Sequence, residues 1–320
     1  MRKTFALILA FCLLLPACGP AQMPQPGLAA QAVIIRLAVI PVIDTLPMFV
    51  AEAEGLYARA GLNVVFIPVA SAAERDQLLA AGQADATLNE LLAVMFFNRE
   101  NVQMQVVRYG QMASPGAGHF FILASGQSGI SSPSELAGVE IGISQATIIE
   151  YVTERLLESS GIPASQVRTV SVPKIPDRMA LLASGELKAA VMPDPLAALA
   201  VQQGAISILD DTQQPLHGAS VISFRKEFID SNPAAVRSFL AAIEEAVSLI
   251  NSQPEAYSGL LAEKQLVPPS LLGEYAIPPF PTAGVPSPGE WGDVARWATA
   301  KGLLEQRPLY EQSVTGIFLP

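Results

Sequence analysis

Cysteine is nearly absent from this chain. Its 320 residues hold two, Cys12 and Cys18, both close to the N-terminus. Everything beyond residue 18 is therefore without disulfides, thiolate metal sites or a cysteine nucleophile. Histidine is equally scarce, with His119 and His217 alone. Two imidazoles with no third ligand in view make a poor metal site, so no metal and no cofactor is expected. No HExxH, GxSxG or Walker-type loop occurs, and the chain is expected not to be an enzyme. Beyond the N-terminal segment no apolar run reaches the roughly eighteen residues needed to cross a bilayer. Positive charge is also short: 19 Lys and Arg against 29 Asp and Glu give a net charge of −10. Such a surface disfavours nucleic acid and anionic lipid headgroups as partners.

The N-terminal segment itself is informative. Met1-Arg2-Lys3 is a basic start, and Phe5–Ala17 is an apolar run too short to span a membrane but suited to a secretory signal. It ends in Leu15-Pro16-Ala17-Cys18, which resembles the bacterial lipoprotein signal, in which the cysteine is acylated and becomes the first mature residue. That resemblance implies a signal peptide over 1–17, a lipid anchor at Cys18 and a protein held outside the cell membrane. Ordinary secretion, with cleavage near Ala17 or Ala30, is the other reading. Loss of residues 1–17 removes two basic residues and no acidic one, moving the charge from −10 to −12. The Pro, Gln, Ala and Gly of residues 18–32 have no apolar period and read as a flexible tether. A disulfide-free domain of about 300 residues needs a large core, and its length suggests two lobes.

Short apolar strands then alternate with helical stretches. Strands are expected at Ile34–Ile40, Asn63–Val69 and Ala84–Leu88, with helices over Leu46–Gly61, from Ser71 through Leu79, and over Glu90–Asn98. Val102–Tyr109 is a further strand. After the glycine-rich Gly110–Gly118, His119–Ser125 reads as a strand and the alternation restarts. A helix is expected over about Thr147–Ser160, a strand at Val167–Val172, a helix at Ile175–Ser184 and strands at Lys188–Met192 and Ala205–Leu209. His217–Phe224 is another strand, followed by helices at Asn232–Ile250, about Pro254–Glu263 and about Pro288–Lys301. Alternation of this kind predicts βαβ units in an α/β fold with mostly parallel sheets. The second half repeats the first in words as well as order: LLAAGQADAT at 78–87 is echoed by LLASGELKAA at 181–190, 103 residues on. Both read as a helix buried through its leucines, a left-handed glycine stop at Gly82 or Gly185, and an alanine-rich strand.

The motifs resemble a known family. Pro47, Phe49-Val50-Ala51, Gly55, Tyr57, Gly61-Leu62, Val64, Leu79, Gly82 and Asp85-Ala86 match the pattern of the nitrate/sulfonate/taurine and thiamine-pyrimidine-precursor family of ABC-transporter solute-binding proteins. SPSELAGVEIGIS and ELKAAVMPDP match in the second half. Lys188 stands where members often carry an acid, and Asp194 where glutamate is more frequent. The resemblance implies a type II periplasmic-binding-protein clamp of two α/β lobes joined by two crossover strands. It assigns 33–118 with 217–320 to one lobe and 119–216 to the other. It also implies a small-molecule ligand between the lobes, a membrane permease as partner, and a monomer.

Candidate ligand residues follow from the loops after each strand, where helix N-termini point. These are Asp44 and Thr45, Ser71, Asn89 and Glu90, then Ser144, Gln145 and Thr147, and finally Asp194. For Asp44, Ser71 and Asp194 a plain helix cap is the competing role. His119 and His217 are read as hydrogen-bonded hinge residues. Tyr109, Phe120 and Tyr151 could stack on a ligand or belong to the core. Because Asp44, Glu90 and Asp194 are acidic and the nearest cations, Arg108, Lys174 and Arg178, fall outside these loops, a neutral or donor-rich solute is expected. An aminopyrimidine, another heterocyclic vitamin or precursor, or an amine would fit. Nitrate or an aliphatic sulfonate is the alternative, and a cofactor-biosynthesis enzyme on the same fold is the alternative of another class.

Overall fold

The computed structural model describes residues 32–320, so Cys18, the signal-like segment and all of the tether except Ala32 lie outside the described residues. Five strands form the first sheet: β1 (Val33–Val39), β2 (Leu62–Pro68), β3 (Ala86–Glu90), β4 (Met104–Tyr109) and, much later in the chain, β10 (Ser220–Arg225). The second sheet holds β5 (Phe120–Ala124), β6 (Glu140–Ile143), β7 (Arg168–Ser171), β8 (Ala189–Pro193) and β9 (Ile206–Asp210). Their orders are β2-β1-β3-β10-β4 and β7-β6-β8-β5-β9, one topology used twice. In each, four strands run in one direction and the fifth, β10 or β5, is inserted antiparallel between two of them. Even the register repeats: Leu37 faces Ala86 in the first sheet, and Ile141 faces Ala189 in the second. The chain passes between sheets twice, after Tyr109 and after Asp210.

Helices connect the strands. Those of the first half are α1 (Leu46–Ala53), α2 (Leu56–Arg59), α3 (Ala72–Ala80) and α4 (Leu91–Phe97); the second sheet carries α5 (Ile148–Ser159), α6 (Ile175–Ser184) and α7 (Leu196–Gln202). After β10 come α8 (Lys226–Ser231), α9 (Pro233–Ser252), α10 (Ser258–Glu263), α11 (Pro288–Ala300) and α12 (Tyr310–Ser313). The helix expected over Leu46–Gly61 is two, because Gly55 adopts φ +67° and breaks the hydrogen-bond ladder. The glycine stops at 82 and 185 are left-handed, at φ +66° and +80°. Ser71 caps α3 by accepting from the Glu74 amide at 3.2 Å.

The largest departure concerns β3. The strand expected at Ala84–Leu88 runs on to Glu90, because the antiparallel neighbour β10 pairs with it through Asn89 and Glu90. Asn89 and Glu90 are therefore strand residues and not members of a loop. The partner strand lies more than 130 residues away in sequence, so no local pattern reports it. His217 likewise sits in a turn ahead of β10 and not at a strand start.

Between the first sheet and α1 and α9, Val236, Phe239, Leu240, Ile243, Val247 and Ile250 present one helical stripe to Phe49, Tyr57 and Phe224. A second apolar cluster is continuous across both sheets. It runs from Val94 and Met95 of α4 through Trp291 and Trp297 of α11 to Tyr151, Val152 and Leu156 of α5. Helix α11 thus belongs to neither sheet alone. Its Asp293 accepts from Tyr151 at 2.8 Å and from Arg155 at 2.9 Å, and its Trp297 indole donates to Glu154.

Candidate functional site

The two crossings meet beside the turn that follows β1. There Asp44 Oδ2 lies 3.1 Å from His119 Nε2, and both groups are buried. His119 Nδ1 lies 2.9 Å from the Gly218 carbonyl, which can only accept. With Asp44 on the other nitrogen, both ring nitrogens donate and the side chain is an imidazolium. Burial alone would push its pKa down, but Asp44, helped by Asp211 and Asp194, lifts it to about 9. Burial likewise pushes Asp44 up, and His119 together with Ser220 holds it below the ordinary aspartate range. Asp211 accepts the backbone amides of His119 and Phe120 at 2.7 and 3.1 Å. A Cβ on Gly218 would fall 2.5 Å from the Phe120 ring and 2.7 Å from Asp211 Oδ2, so the two crossings approach as only glycine allows.

Across from this hinge, β6 leads into Ser144-Gln145-Ala146-Thr147 and the N-terminus of α5. Thr147 caps the helix: its hydroxyl accepts from the Ile149 amide at 3.2 Å and donates to the Ser144 carbonyl at 2.7 Å. Glu150 accepts from the Ala146 amide at 2.7 Å and, through its other oxygen, from Lys301 of α11 at 2.9 Å. The Ile148 amide, first in the helix, has no intrahelical acceptor. A twelve-residue helix offers partial positive charge here, suited to an anionic group.

Beneath this loop is a cation that sequence reasoning placed outside the site. Arg178 on α6 is 0% exposed. Its Nη1 donates to Ser144 Oγ at 3.0 Å and to the Val172 carbonyl at 3.2 Å. Nε and Nη2 have no hydrogen-bond partner among the described residues, and no carboxylate pairs with the guanidinium. Burial pushes its pKa down to about 10, which leaves it charged at neutral pH.

The repeat explains what is unusual about Arg178. It is the fourth residue of α6, and Arg75, 103 positions earlier, is the fourth residue of α3. Arg75 is just as buried, but Asp76 binds its Nε at 2.8 Å and Glu90 lies 3.4 Å from Nη1. The residues at the same offset in the second half are Met179 and Pro193. One sheet neutralises its buried arginine with two acids, and the other leaves it uncompensated. The signal was present in the echo, which continues upstream of residue 78 to include both arginines.

The remaining candidates divide. Ser144, Gln145 and Thr147 lie together above Arg178, with Gln145 exposed. Asp194 follows β8, the parallel neighbour of β6, and accepts a hydrogen bond from Tyr275. Burial pushes the Asp194 pKa up to about 6 against the opposing pull of Tyr275 and His119. Asn89 Oδ1 accepts from the Ser223 hydroxyl at 2.6 Å, and its buried amide nitrogen has no partner among the described residues. Thr45 is fully buried and bonds the Val42 carbonyl, Ser71 is occupied as a cap, and Glu90 faces Arg75. Tyr109, Phe120 and Tyr151 are all core residues. The expected acidic cleft without cations is thus corrected. Asp44 has a counter-ion in His119, Glu90 has one in Arg75, and a free positive charge lies under Ser144.

The hinge pair has a pH signature. The folded pKa of His119, about 9, lies above the ordinary 6.5 of an unfolded chain. Its contribution to stability is therefore complete below about pH 6.5 and is lost as pH rises through 9. Within that window the loss is at most about 1.4 kcal/mol per pH unit. Urea denaturation should show this decline in the wild type and a flatter profile in His119→Gln; identical profiles would contradict the ion pair.

Comparison with known proteins supports the same architecture. The NMT1/THI5 like family profile matches residues 43–257. A curated relative, the putative aliphatic sulfonates-binding protein of Escherichia coli (strain K12), is 24% identical over 154 residues. That match spans 48% of this chain and 48% of the relative, so it covers about half the length of each. Among solved structures, the alkanesulfonate-binding protein SsuA from Xanthomonas axonopodis pv. citri, bound to MOPS, superposes with a TM-score of 0.73 at 16% identity. The superposition covers 90% of this chain and 99% of that one. The desulfurization enzyme DSZB gives 0.66 at 15% identity, covering 89% and 97%, so the fold serves binding proteins and enzymes alike. With the family profile covering most of the chain and the doubled sheet topology in agreement, this chain belongs to the NMT1/THI5-like family and has the periplasmic-binding-protein fold.

Proposed function

We propose that this chain is the extracytoplasmic solute-binding component of an ABC importer, and that it captures an organic sulfonate between its two sheets. The observation that carries the reading is the uncompensated guanidinium of Arg178, hydrogen-bonded to Ser144 at the N-terminus of α5. A sulfonate brings one permanent negative charge and three acceptor oxygens to a helix N-terminus with a free amide and a buried positive charge beneath it, the Ser144 hydroxyl between them being donated to the Pro173 carbonyl at 3.2 Å. The names of the relatives agree: one is an aliphatic sulfonates-binding protein and another holds MOPS, itself a sulfonate. An aminopyrimidine, vitamin precursor or amine loses its basis, since that expectation rested on a cleft without cations.

In this reading 33–118 with 217–320 form one lobe and 119–216 the other, and closure about the two crossings traps the solute for delivery to the permease. The lobes act as a monomer, with Ser144, Gln145, Thr147, Asn89 and Asp194 facing the ligand.

A thermal-shift series with alkanesulfonates, nitrate, aminopyrimidines and amines tests the solute. A sulfonate at 100 times its dissociation constant should add about 2.7 kcal/mol to stability. A shift produced only by aminopyrimidines or amines would reject the sulfonate. The anchor is tested separately: Cys18→Ser should abolish acylation and release the protein from the membrane fraction, and unchanged membrane retention would refute a lipid anchor at that residue.

A further inference from the structure

We infer that Arg178 is the specificity-determining residue of this site and that it selects solutes bearing a single, permanently ionised acid group. The inference rests on the reading of the cleft as a sulfonate site and adds a rule for which acids are admitted.

Three observations lead to it. First, among the described residues the region has one buried cation without a counter-ion, since Lys174, beside Pro173, is exposed to solvent. Arg75, the equivalent residue of the other sheet, is neutralised by Asp76 and Glu90, and His119 by Asp44. Second, Arg178 is fully buried with two guanidinium nitrogens lacking any partner among the described residues. In such surroundings charges interact far more strongly than in water. Arg178 bonds the Ser144 hydroxyl directly, so its charge is felt at the α5 N-terminus whether or not it touches the solute. Third, the strand beside β6 ends in a carboxylate, Asp194, with no cation bonded to it.

One uncompensated buried charge balances one negative charge. A second charge on the solute, as in a phosphonate dianion, would find no second buried cation, only the solvent-screened Lys174, and would face Asp194. The site should therefore favour sulfonates over phosphonates of the same shape. A phosphonate should bind only as its monoanion, so its affinity should rise as pH falls through its second ionisation, while sulfonate affinity should not follow that ionisation.

The repeat supplies the decisive variant. Met179→Asp installs in the second sheet the acid that Asp76 provides in the first, at the same place in the helix. Titration calorimetry with butane-1-sulfonate and butylphosphonate would be run on the wild type, Met179→Asp, Arg178→Met and Arg178→Lys. Met179→Asp should fold, melt at or above the wild-type temperature, and lose about 10- to 100-fold in sulfonate affinity. Arg178→Met should lose a similar factor together with the preference for sulfonate over phosphonate, and Arg178→Lys should recover part of both. Wild-type affinity retained in both Met179→Asp and Arg178→Met would overturn the inference while leaving the sulfonate reading intact. So would equal binding of the phosphonate dianion by the wild type. A wild type that binds no sulfonate, or binds only neutral or cationic solutes, would remove both the reading and the inference.

Discussion

A guanidinium buried without a counter-charge is a standing cost to the folded state, and Arg178 is such a group. Removing an ion from water costs several kcal/mol even after the surroundings relax, unless a partner offsets it. The same chain shows how that cost is ordinarily met: Arg75 has two acids, Arg108 has Glu244 at 2.7 Å, and Asp44 has His119. Of the buried arginines among the described residues, the one beneath the α5 N-terminus alone is left with Ser144 and one carbonyl as its bonded neighbours. Unbalanced charge of this kind concentrates at sites where a ligand completes the balance. In the proposed reading, the class of solute follows from that one omission.

The position of Arg178 matters because α5 is tied to α11 through its first two turns. Glu150 holds the Ala146 amide with one oxygen and Lys301 with the other, while Tyr151 and Arg155 bond Asp293. Helix α11 therefore links the ligand-side end of the second sheet to α4 of the first. At the other side the crossings are pinned by Asp44, His119 and Asp211 around a glycine that admits no Cβ. In the proposed reading, a solute that draws in the α5 N-terminus works against these two linkages, and closure turns on the hinge between them.

Much of this architecture was legible in the sequence. The alternation of strands and helices, the stops at Gly82 and Gly185, the Ser71 cap and the repeated element order gave two matching sheets, because these features depend on neighbours a few residues away. What depends on distant neighbours was not legible. Asn89 and Glu90 read as loop residues because their strand is completed by β10. Asp44 read as a free carboxylate or a cap because its counter-ion is 75 positions on. Arg178 read as peripheral because Ser144 is 34 positions away, although the echo already aligned it with Arg75. The expectation of a cleft without cations came from counting charges in loops without knowing which were paired.

The most direct measurement is a crystal structure grown with 3-bromopropane-1-sulfonate, locating sulfur and bromine by anomalous scattering. A sulfur centred above Ser144, with a sulfonate oxygen about 3 Å from the Ile148 amide nitrogen, is the predicted result. A sulfonate seated instead against Ser71 and Arg75 of the first sheet, or outside the cleft altogether, would contradict the assignment of the uncompensated arginine as the ligand's counter-charge.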